Sequence, residues 1–183
     1  MKAFFREILV TLAIAVVLFF GLQLLVQSYI IKESSMQPNF QEGQRLLVNK
    51  VTYRFHGPEP GDVIILHPPP PYDSKLIFIK RVIALPGETV EVKMGSVYVN
   101  GVKLEEPYIK EPPSYTLNPE KIPEDSYFVL GDNRDISNDS HTGWLVPREN
   151  VVGKAWLIIW PPGKWGLAAN YPLRQQLAGT ASE

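Results

Sequence analysis

Cysteine is absent from this 183-residue chain, and histidine occurs only three times, as His56, His67 and His141. The first absence excludes disulfides, a thiolate nucleophile and cysteine-ligated zinc. The second leaves little material for a histidine metal site. An excess of charge of either sign is lacking too, since 18 Lys and Arg face 19 Asp and Glu, for a formal net charge of −1. Phosphate binding needs a concentrated basic face, so a nucleic-acid partner is not expected. Hydrophobic residues make up 45% and charged residues 20%, enough for a packed core and contrary to disorder. The length suits one domain, or one domain with an appendage. Proline, by contrast, is plentiful: 17 residues favour short strands joined by turns over a helical bundle.

Residues 8–26 (ILVTLAIAVVLFFGLQLLV) run for 19 positions without a charge. As a helix they would span roughly 28 Å, close to the hydrocarbon thickness of a bilayer. A buried helix of a soluble protein would show a polar face, and this stretch shows none. A cleaved secretory signal has a shorter core followed by small residues. Here Gln27, Ser28 and Tyr29 follow, and the one Ala-x-Ala, Ala13 to Ala15, lies inside the core. An uncleaved anchor is expected. Lys2 and Arg6 before the span, against Lys32 and Arg45 after it, favour a cytoplasmic N-terminus.

Beyond the anchor the signals are those of strands. They fall at 45–53 (RLLVNKVTY), 62–66 (DVIIL), 76–85 (LIFIKRVIAL), 89–93 (TVEVK), 97–104 (VYVNGVKL), 127–130 (YFVL) and 151–160 (VVGKAWLIIW). Asn100-Gly101 is the strongest local hairpin signal. Pro68 to Pro71 reads as a semi-rigid loop. Residues 106–124, rich in Pro and polar groups, read as a long excursion from the sheet. The expected fold is mainly β: an antiparallel sheet domain behind one N-terminal transmembrane helix.

Without cysteine, and with few histidines, a nucleophile falls to Ser or Thr, whose hydroxyls need a base within hydrogen-bond reach. A lysine can be that base if burial keeps it neutral. Lys80 lies inside a hydrophobic strand, where alternation sends it to the face of Phe78 and Val82 and sends Arg81 to the face of Ile79 and Ile83. The alternative is a lysine blunting an edge strand. Residues 33–38 (ESSMQP) form a turn-like stretch just outside the membrane. Residues 131–140 (GDNRDISNDS) read as a solvated turn. They could also read as a calcium loop with Asp135, Ser137 and Asp139 as alternating ligands, but that loop would lack its glycine (Ser140) and its terminal acid (Val146).

Taken together the segments say more. Ser35-Met36-x-Pro38 after an anchor, then Pro60-Gly61-Asp62-Val63-Ile64, then Phe78-Ile79-Lys80-Arg81-Val82-Ile83-x-x-Pro86-Gly87, then Gly131-Asp132-Asn133-Arg134-Asp135-x-Ser137-x-Asp139-Ser140 occur in this order. They resemble the ordered boxes of the bacterial type I signal peptidases, serine proteases with a Ser-Lys dyad. Residues 143–155 (GWLVPRENVVGKA) resemble the cyanobacterial and plastid branch.

The resemblance implies a membrane-bound serine endopeptidase that removes signal peptides from exported preproteins after small residues. It implies Ser35 as nucleophile and its N–H as an oxyanion donor, Lys80 as general base, and Ser137 as the group orienting the Lys80 amine. Asp132 would pair with Arg81, Asp139 would hold the loop of Ser137, and Met36 and Phe78 would line the substrate pocket. Partners would be signal peptides and membrane lipid, with no cofactor, metal or nucleic acid. Residues 1–27 would be the anchor with a short cytoplasmic end. Residues 28–183 would be the protease domain on the extracytoplasmic side of a cell membrane, or in a thylakoid membrane.

Four positions depart from the family pattern. Glu33 stands where a serine often completes the oxyanion hole, and a carboxylate opposes the charge that develops there. His141 stands where Arg is frequent, Phe78 where Tyr is common, and Asn39 where Thr is frequent. Two other functions remain open at this level: a hydrolase pairing Ser140 or Ser35 with His141 or His67, and a non-enzymatic anchored β domain.

Overall fold

The computed structural model describes residues 2–178. Met1 and residues 179–183, the extreme ends of the two expected domains, lie outside the described residues. Helix α1 (Lys2–Leu25) has 24 residues, a length of about 36 Å. Its Phe4–Gly21 stretch is long and apolar enough to cross a membrane, and none of it is buried against the rest of the chain. Beyond Arg6 and Glu7 the helix is uncharged and has no protein partner, so it needs a lipid environment, and the chain is membrane-associated on that ground.

Strand β1 (Val26–Ile30) follows α1 directly and pairs antiparallel with β2 (Arg45–Asn49), matching Val26 to Asn49. The expected strand at 45–53 is shorter than its composition suggests. Asn49 Oδ1 accepts the N–H groups of Val51 and Thr52 at 2.9 and 3.1 Å, and a one-turn helix α2 (Thr52–Phe55) follows. A short amide side chain that captures nearby backbone donors ends a ladder in this way.

The rest of the chain gives β3 (Val63–Leu66), β4 (Phe78–Ala84), β5 (Thr89–Lys93), β6 (Ser96–Val99), β7 (Val102–Lys103), β8 (Leu117–Lys121), β9 (Ser126–Leu130), β10 (Val146–Pro147), β11 (Val151–Trp160), β12 (Gly166–Leu167) and a short α3 (Arg174–Ala178). The larger sheet runs β1-β2-β11-β3-β4-β9-β10, with β12 on β11; a second, four-stranded sheet runs β7-β6-β5-β8. Every pairing is antiparallel, so the expected fold class holds. Asn100 and Gly101 join β6 to β7 with φ of 52° and 80°, the left-handed pair a tight hairpin requires.

Residues 106–124 are not wholly an excursion, because they contain β8. Its sequence, LNPEK, carries a proline, which a central strand excludes and an edge strand tolerates; β8 is the edge beside β5, with a register shift opposite Val90–Val92.

Strands β3 and β4 are buried along their whole length because both faces of the large sheet are covered. One face packs Ile64, Leu66, Phe78 and Val82 against Tyr127 and Val129. The other packs Val63, Ile65 and Ile79 against Met36 and Phe40. A third cluster joins Ile83, Phe128 and Leu130 to Val90, Val92 and Val97 of the smaller sheet. Since β4 lies between β3 and β9, Lys80 is interior to the sheet, and the edge-charge reading falls.

Candidate active site

Lys80 is fully buried on β4 opposite Ile64, and Ser35, 4% exposed, stands on the turn that follows β1. Local hydrogen bonds shape that turn: Gln37 N–H donates to the Ser34 carbonyl at 3.1 Å and Phe40 N–H to the Met36 carbonyl at 3.0 Å. Met36 and Phe40 plug it into the core. The result sets Lys80 Nζ 2.8 Å from Ser35 Oγ, across 45 residues of sequence. Burial lowers the Lys80 pKa from its ordinary value; the charges of Asp139, then Glu33, then Asp132 oppose this more weakly. A desolvated amine at hydrogen-bond distance from a hydroxyl is an arrangement that can take its proton.

Arg81, next along β4, points the other way. Its Nε and Nη2 donate to the two carboxylate oxygens of Asp132 at 2.8 and 2.7 Å, and both side chains are fully buried. Nη1 donates to the carbonyls of Gly61 and Ala169 at 2.8 and 2.9 Å, and the guanidinium lies 4.1 Å over the Tyr108 ring. The forked pair, with its remaining donors satisfied, meets the condition under which a buried ion pair is tolerable.

Asp139, also fully buried, accepts the Gly131 N–H at 2.8 Å and faces His141 Nδ1 at 2.7 Å. It thus ties the loop carrying Ser137 to the end of β9. Ser137 itself differs from expectation. Its hydroxyl is buried and has no hydrogen-bond partner, so the bond to the Lys80 amine is not formed here. Ser137 N–H donates to the Asn133 carbonyl at 3.0 Å, and the side chain sits against Gly131 beside the Ser35 carbonyl. A β-carbon at Gly131 would collide with both, so glycine is required where the two loops meet.

Phe78 lies with its ring 5.2 Å from Lys80 Nζ, while Met36 is fully buried behind the turn. A groove of about 420 Å³ opens beside the pair, lined by residues 28–33 on one side and 75–79 on the other, with Leu46 and Ile65 at its floor. Neither Ser35 nor Lys80 lines it; the lining residues nearest to them in sequence are Glu33 and Ile79.

The alternatives lose their geometry. Asp135 Oδ1 accepts the Ser114 N–H while Asp139 serves Gly131 and His141, so the carboxylates of the calcium-loop reading do not converge. Ser140 Oγ accepts the Val129 N–H, His67 Nδ1 lies by the Leu76 carbonyl, and no histidine among the described residues bonds a serine hydroxyl.

Sequence reasoning missed three supports. Asn133 donates from N to the Ser35 carbonyl at 3.0 Å and from Nδ2 to the Ser34 carbonyl at 3.2 Å. Asn39 donates to Asp132 and to the Tyr108 carbonyl. The stretch after β12 folds back: besides the Ala169 carbonyl on Arg81, Asn170 Oδ1 accepts the Val63 N–H at 2.7 Å, and Leu173 enters the core. Asn133 had a signal in its place in the polar motif and Asn39 one in its departure from the family pattern; the stretch after β12 had none.

With this geometry in hand, comparison with known proteins is direct. The family described as "Signal peptidase, peptidase S26" matches residues 3–160. The chain belongs to that family. It is 44% identical over 174 residues to a probable signal peptidase I-1 of Synechocystis sp., covering 92% of this chain and 89% of the relative. A signal peptidase I of Leptolyngbya laminosa is 44% identical, with 85% and 80% covered. The thylakoidal processing peptidase 1 of Arabidopsis thaliana chloroplasts is 41% identical over 142 residues, 73% of this chain and 42% of that one. The resemblance to the cyanobacterial and plastid branch therefore stands. In this signal peptidase Glu33 is exposed, and His141 both faces Asp139 and stacks on Tyr115 at 4.0 Å.

Proposed function

We propose that this serine endopeptidase removes signal peptides from preproteins with Ser35 as nucleophile and Lys80 as general base. The observation that carries the assignment is the 2.8 Å contact between the buried hydroxyl of Ser35, on the turn after β1, and the amine of Lys80 buried on β4. In the first step the neutral Lys80 amine takes the Ser35 proton as Oγ attacks the scissile carbonyl carbon. The Ser35 N–H donates to the oxyanion. Lys80 then returns that proton to the departing amine, the N-terminus of the mature protein. Water, deprotonated by the same amine, attacks the acyl carbon; the bond to Ser35 Oγ breaks, Lys80 gives the proton to Oγ, and the signal peptide leaves with a free carboxyl end.

The groove supports an extended substrate. Its walls include the apolar Ile31, Leu76, Ile77 and Phe78. Small residues before the cut, the preference carried by the resemblance, suit a channel pressed between two strands' edges. Eight residues separate Val26 from Ser35, a reach of at most about 30 Å, which keeps the nucleophile near the bilayer surface where a cleavage site emerges. The charge bias around α1 supports a cytoplasmic N-terminus, with residues 28–183 on the far side of a cell or thylakoid membrane and α1 in contact with lipid. Asp132, Arg81 and Asp139 act as framework, and Ser137 engages the Lys80 amine only once that amine turns from Ser35.

The test uses detergent-solubilised full-length protein and a preprotein with an Ala-x-Ala site, with products read by mass spectrometry. Wild type should cut after the second alanine, while Ser35→Ala and Lys80→Ala should not. Good cleavage by Lys80→Ala would refute the base.

A further inference from the structure

Nucleophile and base come from segments far apart in sequence, yet one ion pair touches both. Lys80 and Arg81 are adjacent on β4, so the position of the Arg81 guanidinium fixes the strand that carries the base. Arg81 grips Asp132, and Asp132 Oδ2, which accepts from Arg81 Nη2 at 2.7 Å, also accepts from Asn39 Nδ2 at 2.7 Å. Asn39 lies four residues after Ser35, at the far end of the turn that Met36 and Phe40 anchor in the core. Its Nδ2 carries two protons, and the second goes to the Tyr108 carbonyl at 2.7 Å. Tyr108 in turn lies under the Arg81 guanidinium. Asn39 therefore spans both sides of one rigid unit and hangs the far end of the nucleophile turn from it. Asn133, next in sequence to Asp132, holds the near end through the carbonyls of Ser34 and Ser35.

We infer that Asn39 is a positioning residue for the reaction, setting the register of Ser35 against Lys80 by tying the nucleophile turn to the Arg81–Asp132 pair. The inference rests on the dyad assigned above. Its chemistry is specific to this side chain. A threonine, frequent here in the family pattern, has one hydroxyl proton and can donate to Asp132 or to Tyr108 but not to both. An amide bridges the two. Asn39 touches neither groove nor dyad, so its loss should leave substrate binding alone and act on the chemical step.

The experiment compares wild type, Asn39→Ala, Asn39→Thr and Ser35→Ala in detergent on one preprotein, measuring kcat, KM and thermal midpoint. A displacement of about 1 Å between reacting groups costs on the order of 10²-fold, so Asn39→Ala should lower kcat by roughly 10- to 100-fold with KM within about twofold. Asn39→Thr keeps one of the two bonds and should recover to within roughly fivefold of wild type while its thermal midpoint stays near that of wild type. The Asn39→Thr measurement decides the matter should Asn39→Ala fail to fold: a reduced kcat at unchanged KM and midpoint supports the inference. Wild-type kcat in a folded Asn39→Ala overturns it, as does wild-type kcat in Asn39→Thr where Asn39→Ala does not fold, or a rise in KM that accounts for the whole loss. If Ser35→Ala still cuts, the dyad reading itself has failed; if Ser35→Ala is dead and the Asn39 variants are unimpaired, only the present inference has.

Discussion

Replacing Lys80 by methionine keeps most of the side chain's length inside the sheet and removes only the amine. Lys80 has no exposed surface, and burial lowers its pKa. In the unfolded chain the same amine titrates near 10.4. Between the lowered folded value and that unfolded value, the unfolded state holds a proton that the folded state does not. Folding then releases a proton, and stability rises with pH across that window. Below the folded value both states are protonated and the slope vanishes; above about 10.4 both are neutral and it vanishes again. Within the window wild type should gain about 1.4 kcal/mol per pH unit relative to Lys80→Met. The variant also leaves the buried Ser35 hydroxyl without its partner, at a cost of about 1–3 kcal/mol. That cost does not vary with pH below the range where serine ionises, so the slope isolates the lysine. The assay is guanidinium unfolding of both proteins in detergent from pH 6 to 10, followed by tryptophan fluorescence. In parallel, wild-type kcat/KM should climb through the same folded pKa toward an alkaline optimum, and Lys80→Met should lose roughly 10²–10⁴ in rate, the usual worth of a positioned base. A stability difference that stays constant from pH 6 to 10 would refute the reasoning, since it would mean the lysine is charged in the folded state throughout.

The framework gives three further expectations. Asp132→Leu leaves Arg81 buried without its partner and should cost about 3–5 kcal/mol in denaturant unfolding, most of it recovered in the double variant Arg81→Met/Asp132→Leu. Gly131→Ala drives a methyl into the Ser137 hydroxyl and the Ser35 carbonyl, so kcat should fall by on the order of 10²-fold through displacement of Ser35, the proposed nucleophile. Asn170→Ala removes the acceptor of the Val63 N–H and a donor to the Ala155 carbonyl, and should lower stability by about 1–3 kcal/mol in the same assay.

How much of this was legible in the sequence follows from where each piece of information resides. The apolar helix and the β-branched strands at 62–66, 76–85 and 151–160 carry their signal in their own composition, and they formed. Strand β1, VQSYI, follows the helix without a turn residue between them, and what makes it a strand is its pairing with β2, fifteen or more residues away. Strand β8 contains Pro119 and two charges; its own residues argue against it, and only a vacant edge beside β5 accepts it. The one-turn helix α2 exists because Asn49 captures two backbone donors, a choice that composition between 45 and 53 does not announce. The candidate site divides along the same line. Ser35, Lys80, Arg81, Asp132 and Asp139 could be singled out because side-chain chemistry and order along the chain mark them together. The tail could not, because what it supplies to Arg81 is the carbonyl of Ala169, a group every residue has. Nor could Asn39 be read as more than a departure from a pattern. Its two protons acquire meaning only when the fold sets a carboxylate and a carbonyl on either side of them, and there the departure becomes the bridge that a threonine cannot make.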